Sequence, residues 1–259
     1  MSTPELQTGK VTATTDQHGI ATVSFFHPSH NSLPGALLNE LAQTIMRTGQ
    51  DANVKVIILR SEGDRTFCAG ASFDELISIE TKEQGLEFFS GFAKVINACR
   101  TCGKVIIGRV QGKAVGGGVG MAASSDYCFA TKQASVKLSE LVVGIGPFVV
   151  GPAVERKIGL AAFAQLTLDA SEFRSAEWAK EKGLYAEVYE TIEELDAAVQ
   201  AFAQKLASYN PEALSEIKKI IWQGTENWDQ LLVERAGISG RLVLSDFTRN
   251  YIQQFKNKQ

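Results

Sequence analysis

Histidine is scarce in this chain, with three in 259 residues, and all of them sit near the start at positions 18, 27 and 30. The four cysteines stand at no zinc spacing from them. Cys99 and Cys102 form a lone Cys-x-x-Cys, a zinc or redox half-site without a second half; the thiols read as small apolar residues kept reduced. Charge of one sign is also lacking. The 26 basic and 29 acidic residues leave a net charge of −3, which gives no basic field to hold nucleic acid. No apolar run approaches the ~18–20 residues of a membrane span, and residues 1–11 are too polar for a secretory signal. Internal repeats, low-complexity stretches and long linkers are missing as well. These absences predict a cytoplasmic protein with no metal, no nucleic-acid partner and no membrane attachment. Its 44% hydrophobic content suffices for a packed core in one large or two small domains.

What the chain does have is glycine in a particular place. An apolar β-branched run at 105–110 leads into Gly116, Gly117 and Gly118, and then into a small-residue helical pattern. Backbone amides at such a helix start are bare and carry partial positive charge, and residues without Cβ let another molecule approach the main chain. A phosphate cradle does not fit. The P-loop pattern needs Lys and Ser or Thr after its last glycine, whereas Gly118 is followed by Val119, Gly120 and Met121, and the dinucleotide spacing is not met either. The loop alone leaves two readings open: close packing of helix on strand, or a site for a developing oxyanion.

A second segment has the same grammar. Residues 54–60 read as a buried parallel strand, leading through 61–66 to F-C-A-G-A at 67–71 and then S-F-D-E-L. Together with G-K-A-V-G-G-G-V-G at 112–120 and S-S-D at 124–126, this resembles the crotonase superfamily, the enoyl-CoA hydratases and isomerases. The match runs from the strand at 19–26, with Pro28 and Asn31, through Glu140 to A-x-x-A-K-E-K-G-L at 176–184, well over half of the chain in the right order. The resemblance implies an acyl-CoA thioester as substrate, with coenzyme A belonging to that substrate and no separate cofactor. It implies that the amides of Ala71 and Gly117 form an oxyanion hole for the thioester oxygen. Two such donors suit an enolate, and losing one typically costs ~3–4 kcal/mol of transition-state stabilisation. The carbonyl of Ala69 is implied to face the adenine end, and Gly70, Ser72, Phe73, Gly116, Gly120 and Phe148 to border the substrate. Cys68, beside this motif with no histidine near it in sequence, reads as packing.

Family hydratases carry two glutamates. Gly120 stands at the first of those positions and Glu140 at the second. Glu140 lies in V-K-L-S-E-L-V-V-G-I-G-P, where apolar neighbours predict a buried carboxylate whose raised proton affinity suits a general base; pairing with Arg156 is the structural alternative. Hydration asks for two groups to handle water and a proton, whereas moving a double bond from C3 to C2 needs one base and an oxyanion hole. The expected activity is therefore enoyl-CoA isomerisation. The alternatives are a hydratase in which Ser124 or Ser139 holds the water, and a catalytically silent acyl-CoA-binding protein. A dienoyl-type isomerase fits less well, because Phe148 stands where that branch carries an acid. Two further departures are Ser72, at a usual aspartate, and P-F-V-V-G-P at 147–152. Phe148, Val149 and Val150 either narrow the acyl pocket or pack a helix start.

Periodicity predicts strands at 19–26, 54–60, 105–110 and 126–131, alternating with helices at 35–50, 82–101 and 117–125, which is an α/β pattern. The resemblance makes this a crotonase-like right-handed spiral of ββα units. From 192 onward only helices are predicted, at 192–208, 211–225 and 228–244, with Pro211 suited to a first turn. The expected division is a core at 1–191 carrying the acyl-CoA site and a helical region at 192–259, which by resemblance packs over the site and assembles a homotrimer or a dimer of trimers.

Overall fold

The computed structural model describes residues 9–256. Strand β1 (Lys10–Thr15) pairs antiparallel with β2 (Ile20–Phe26). The chain then runs through β3 (Ser32–Leu33), α1 (Gly35–Gln50), β4 (Val56–Ser61), β5 (Thr66–Cys68), β6 (Gly70–Ala71), α2 (Phe73–Leu76) and α3 (Lys82–Thr101). Next come β7 (Val105–Val110), β8 (Lys113–Val115), α4 (Gly117–Ser124), β9 (Tyr127–Thr131), β10 (Val136–Lys137) and a 3-10 turn at Glu140–Val143. It closes with α5 (Gly151–Leu168), α6 (Ala176–Glu181), β11 (Glu187–Tyr189) and four helices: α7 (Ile192–Ala207), α8 (Pro211–Ile221), α9 (Trp228–Leu242) and α10 (Asp246–Lys256).

The long strands form one sheet in the order β1-β2-β4-β7-β9-β11, parallel from β2 onward. The short strands form two small parallel sheets, β10-β8-β5 and β3-β6. Successive turns of chain thus lay a strand in the large sheet, a short strand in a small one and a helical segment before returning. This is the expected ββα spiral, right-handed as parallel crossovers are. The small sheets decide where function sits, because each short strand delivers its loop to the same side of the molecule.

All six residues of β7 are buried, as a parallel strand covered on both faces requires. On one face Ile57, Leu59 and Ile106 pack with Leu38, Leu41 and Ile45 of α1 and Val95 and Ile96 of α3. On the other, Val56, Ile58, Ile107 and Phe129 meet Leu195, Val199 and Ala203 of α7, whose start is fixed by a Thr191–Glu194 capping box. The division expected at 191/192 therefore falls between β11 and a helix that covers the sheet's second face.

Asp126, the last residue of S-S-D, pins α8 to the sheet. Its carboxylate accepts from the Ile106 amide (2.7 Å), Lys218 Nζ (2.9 Å) and Trp222 Nε1 (2.6 Å), while Lys157 Nζ donates to its carbonyl (3.1 Å). No helix among the described residues is long and apolar enough to cross a membrane.

Candidate active site

A cavity of about 410 Å³ opens where the small sheets end. Of the residues singled out from the sequence, Ala69, Gly70, Ala71, Phe73, Gly116, Gly117 and Glu140 all line it. The close approach of two segments makes this possible. Gly70 has φ +96°, and a Cβ there would lie 3.3 Å from the Val115 carbonyl oxygen and 3.8 Å from the Gly117 nitrogen. Glycine alone adopts that conformation freely.

Each segment is held from behind. Leu33 pairs with Ala71 in the β3-β6 sheet, the Ser32 hydroxyl donates to the Ala71 carbonyl (3.0 Å), and the Ala69 amide donates to the Asn31 carbonyl (3.3 Å). Asn31 is buried; its side chain accepts from the His27 amide and donates to the carbonyls of Glu62 and Thr66. Gly116, at φ 54° and ψ −115°, starts α4. Its carbonyl accepts from the amides of Val119 and Gly120. Gly117, at the first helical position, has no acceptor within its helix for its own amide. A Cβ on Gly117 would overlap the Phe92 ring, so only glycine leaves that wall intact.

Glu140 opens the 3-10 turn, which ends at left-handed Gly144. Its Oε1 lies 3.1 Å from where a Cβ on Gly116 would stand, and its buried Oε2 has no hydrogen-bond partner. Burial pushes the carboxyl up to about 7, against a smaller opposing pull from its own backbone amide. Arg156 is no partner: its guanidinium donates to the carbonyls of Ile221 (2.5 Å) and Gln223 (3.0 Å) and packs over Trp222.

Three of the named residues are not among the cavity walls. Gly120 lies buried behind them, and the place of its missing side chain is taken by Val150, whose Cγ1 is 2.5 Å from that Cβ position. Ser72 caps α2, its hydroxyl accepting from the Glu75 amide (3.4 Å). The Phe148 ring folds back over Gly146, while its neighbours Val149 and Val150 supply the apolar wall. Of the two serines considered for holding water, Ser124 is fully buried and donates to the Met121 carbonyl (3.1 Å), whereas Ser139 lines the cavity. Cys68 is buried, which pushes its thiol up to about 12 and keeps it protonated.

Sequence reading missed Ser32, Phe88, Phe89, Phe92, Ser239 and Tyr251, which also line the cavity. The phenylalanines carry a helical spacing that reads as core. Ser239 and Tyr251 arrive from α9 and α10 and have no local motif.

The spiral fold and the acid-bearing apolar cavity define a class, and comparison with known proteins identifies it. The chain belongs to the enoyl-CoA hydratase/isomerase family, whose model matches residues 15–245. It is 30% identical over 209 residues to the short-chain-enoyl-CoA hydratase of Clostridium acetobutylicum, spanning 80% of this chain and 79% of that protein. It is 28% identical over 224 residues to the peroxisomal Delta(3,5)-Delta(2,4)-dienoyl-CoA isomerase of Arabidopsis thaliana, spanning 78% and 79%. The crystal structure of an enoyl-CoA hydratase from Mycobacterium avium shares the fold with a TM-score of 0.84 at 26% identity, over 96% of each chain.

Proposed function

We propose that this chain is an enoyl-CoA isomerase in which Glu140 is the one carboxylate base. The substrate is a 3-enoyl-CoA whose coenzyme A is part of the reactant, and no other cofactor takes part. The amides of Ala71 and Gly117 hold the thioester oxygen, and the Ala69 carbonyl faces the adenine end.

The observation that carries this reading is the carboxylate count. Glu140 is the only acidic side chain among the described walls, and Val150 occupies the space beside Gly120 where a second would stand. In the reaction, the Glu140 carboxylate removes a proton from C2. The electron pair of that C–H bond moves into conjugation with the C3–C4 double bond and the carbonyl, placing negative charge on the thioester oxygen. The same carboxyl then returns the proton to C4, which leaves a C2–C3 double bond and a regenerated carboxylate. A base that titrates near 7 suits both transfers at neutral pH, and amides already aimed at the oxygen stabilise the dienolate without reorganising.

Ser139 favours a second reading, hydration of a 2-enoyl-CoA, because it lines the cavity one residue from Glu140 and its hydroxyl would hold the water. Side-by-side assays with 3-enoyl-CoA and 2-enoyl-CoA separate the two. Isomerisation with little hydration supports the first; efficient hydration with little double-bond migration supports the second.

Four free, buried cysteines support a reducing, cytoplasmic setting. Exposed Ile217 and Ile220 on α8 and Leu160 and Leu168 on α5 support assembly as a homotrimer or dimer of trimers, by the rule that apolar patches mark contacts.

A further inference from the structure

Two residues of the C-terminal helices line the cavity with side chains that form no hydrogen bond among the described residues: Ser239 of α9, only 1% exposed, and half-buried Tyr251 of α10. Both lie next to close contacts made at glycines. Helices α3 and α9 cross at a glycine pair so close that a Cβ on Gly85 would lie 2.7 Å from the Gly240 α-carbon. This drives the adjacent Ser239 into a wall otherwise formed by Phe88, Phe89 and Phe92. Helix α10 docks on the turn that carries Glu140, where a Cβ on Gly144 would meet Thr248 Oγ1 at 2.5 Å and also the Phe247 ring. Tyr251 reaches the cavity one turn later.

A hydroxyl with no partner is costly where it is buried, as at Ser239, and both residues line the space that an acyl group would fill. No Lys, Arg or His lies among the described walls, so nothing there offsets the desolvation of a carboxylate. We infer that the acyl group carries a neutral hydrogen-bonding substituent, a ketone or hydroxyl along its chain, bound by Ser239 and Tyr251, and that acyl groups ending in a carboxylate are rejected. This rests on the acyl-CoA reading of the cavity.

Calorimetric binding of saturated CoA esters tests it without depending on turnover. Hexanoyl-CoA, 4-oxohexanoyl-CoA, 5-oxohexanoyl-CoA and adipoyl-CoA serve as probes against wild type, Ser239→Ala and Tyr251→Phe. At least one oxo ester is expected to bind about three- to tenfold tighter than hexanoyl-CoA, the worth of one or two neutral hydrogen bonds, with adipoyl-CoA weakest. Each variant should shrink the oxo advantage and leave hexanoyl-CoA affinity within about twofold by the same measure. Should Ser239→Ala misfold, Tyr251→Phe alone still decides. Hexanoyl-CoA binding as tightly as both oxo esters, or an oxo advantage that survives substitution, overturns this inference and leaves the acyl-CoA reading standing. Failure of all four esters to bind overturns both.

Discussion

Val150 occupies the side-chain space of Gly120: its Cγ1 stands 2.5 Å from the point where a Cβ on Gly120 would be. The two positions have exchanged volume, so the second carboxylate of the family hydratases has no room, and the proposed chemistry follows from that packing. Gly120→Ala should destabilise the protein by about 1–3 kcal/mol through overpacking. In a Val150→Ala background the same change should cost close to nothing. Urea denaturation of the two single variants and the double variant measures the coupling; strict additivity would show that the two sites do not share space.

Glu140 should make folding weaker as pH rises. Its carboxyl titrates at about 7 in the folded protein against an ordinary value of 4.5, so between those values the native state binds more protons than the unfolded chain. Stability contributed by this group is therefore fully present below pH 4.5 and lost as pH climbs through 7. Glu140→Gln, which stays neutral, should gain about 3–4 kcal/mol over wild type at pH 8 and less than about 1 kcal/mol at pH 5. Melting curves at the two pH values check the sign: a variant that is less stable at pH 8 would mean that the charged form is well solvated.

The Asp126–Lys218 pair is buried on both sides, at 2% and 4% side-chain exposure. Removing one partner leaves a buried charge short of its counter-ion, so Lys218→Met should cost about 3–5 kcal/mol. Adding Asp126→Asn should recover part of that loss, since it removes the unpaired charge and its one oxygen still accepts from either the Ile106 amide or the Trp222 indole, which bond different carboxylate oxygens. Chemical denaturation of wild type and the two variants reads both effects.

Much of this fold is legible in the sequence wherever burial imposes a period. The helices expected at 35–50 and 82–101 and the strand at 105–110 form as Gly35–Gln50, Lys82–Thr101 and Val105–Val110. The strands of two or three residues are not legible, because Ser32–Leu33 and Gly70–Ala71 exist only through pairing with each other across the fold. β1 escapes sequence reading because it is an edge strand with five of its six residues exposed, which leaves no apolar alternation. α5 is hidden by Gly159, whose φ of 76° breaks the helical pattern.

The site divides in the same way. Ala71, Gly117 and Glu140 are legible because local motifs create their backbone geometry, and all three line one cavity. Phe148 is not, because a ring folded over Gly146 and a ring turned into the pocket look alike in sequence; Val149 and Val150 form the wall instead. Ser239 and Tyr251 depend on helix packing at Gly85, Gly240 and Gly144, contacts between residues that are remote along the chain.

The central claim, a single carboxylate base, is tested most directly by measuring how fast wild type and Glu140→Gln isomerise a 3-enoyl-CoA, as kcat/KM across pH 5 to 9. The wild-type rate should rise with pH to a plateau, with an apparent pKa of about 7, and the variant should lose about 10²–10⁴-fold. A Glu140→Gln enzyme within tenfold of wild type, or a wild-type rate that is flat across that range, would contradict the role assigned to Glu140.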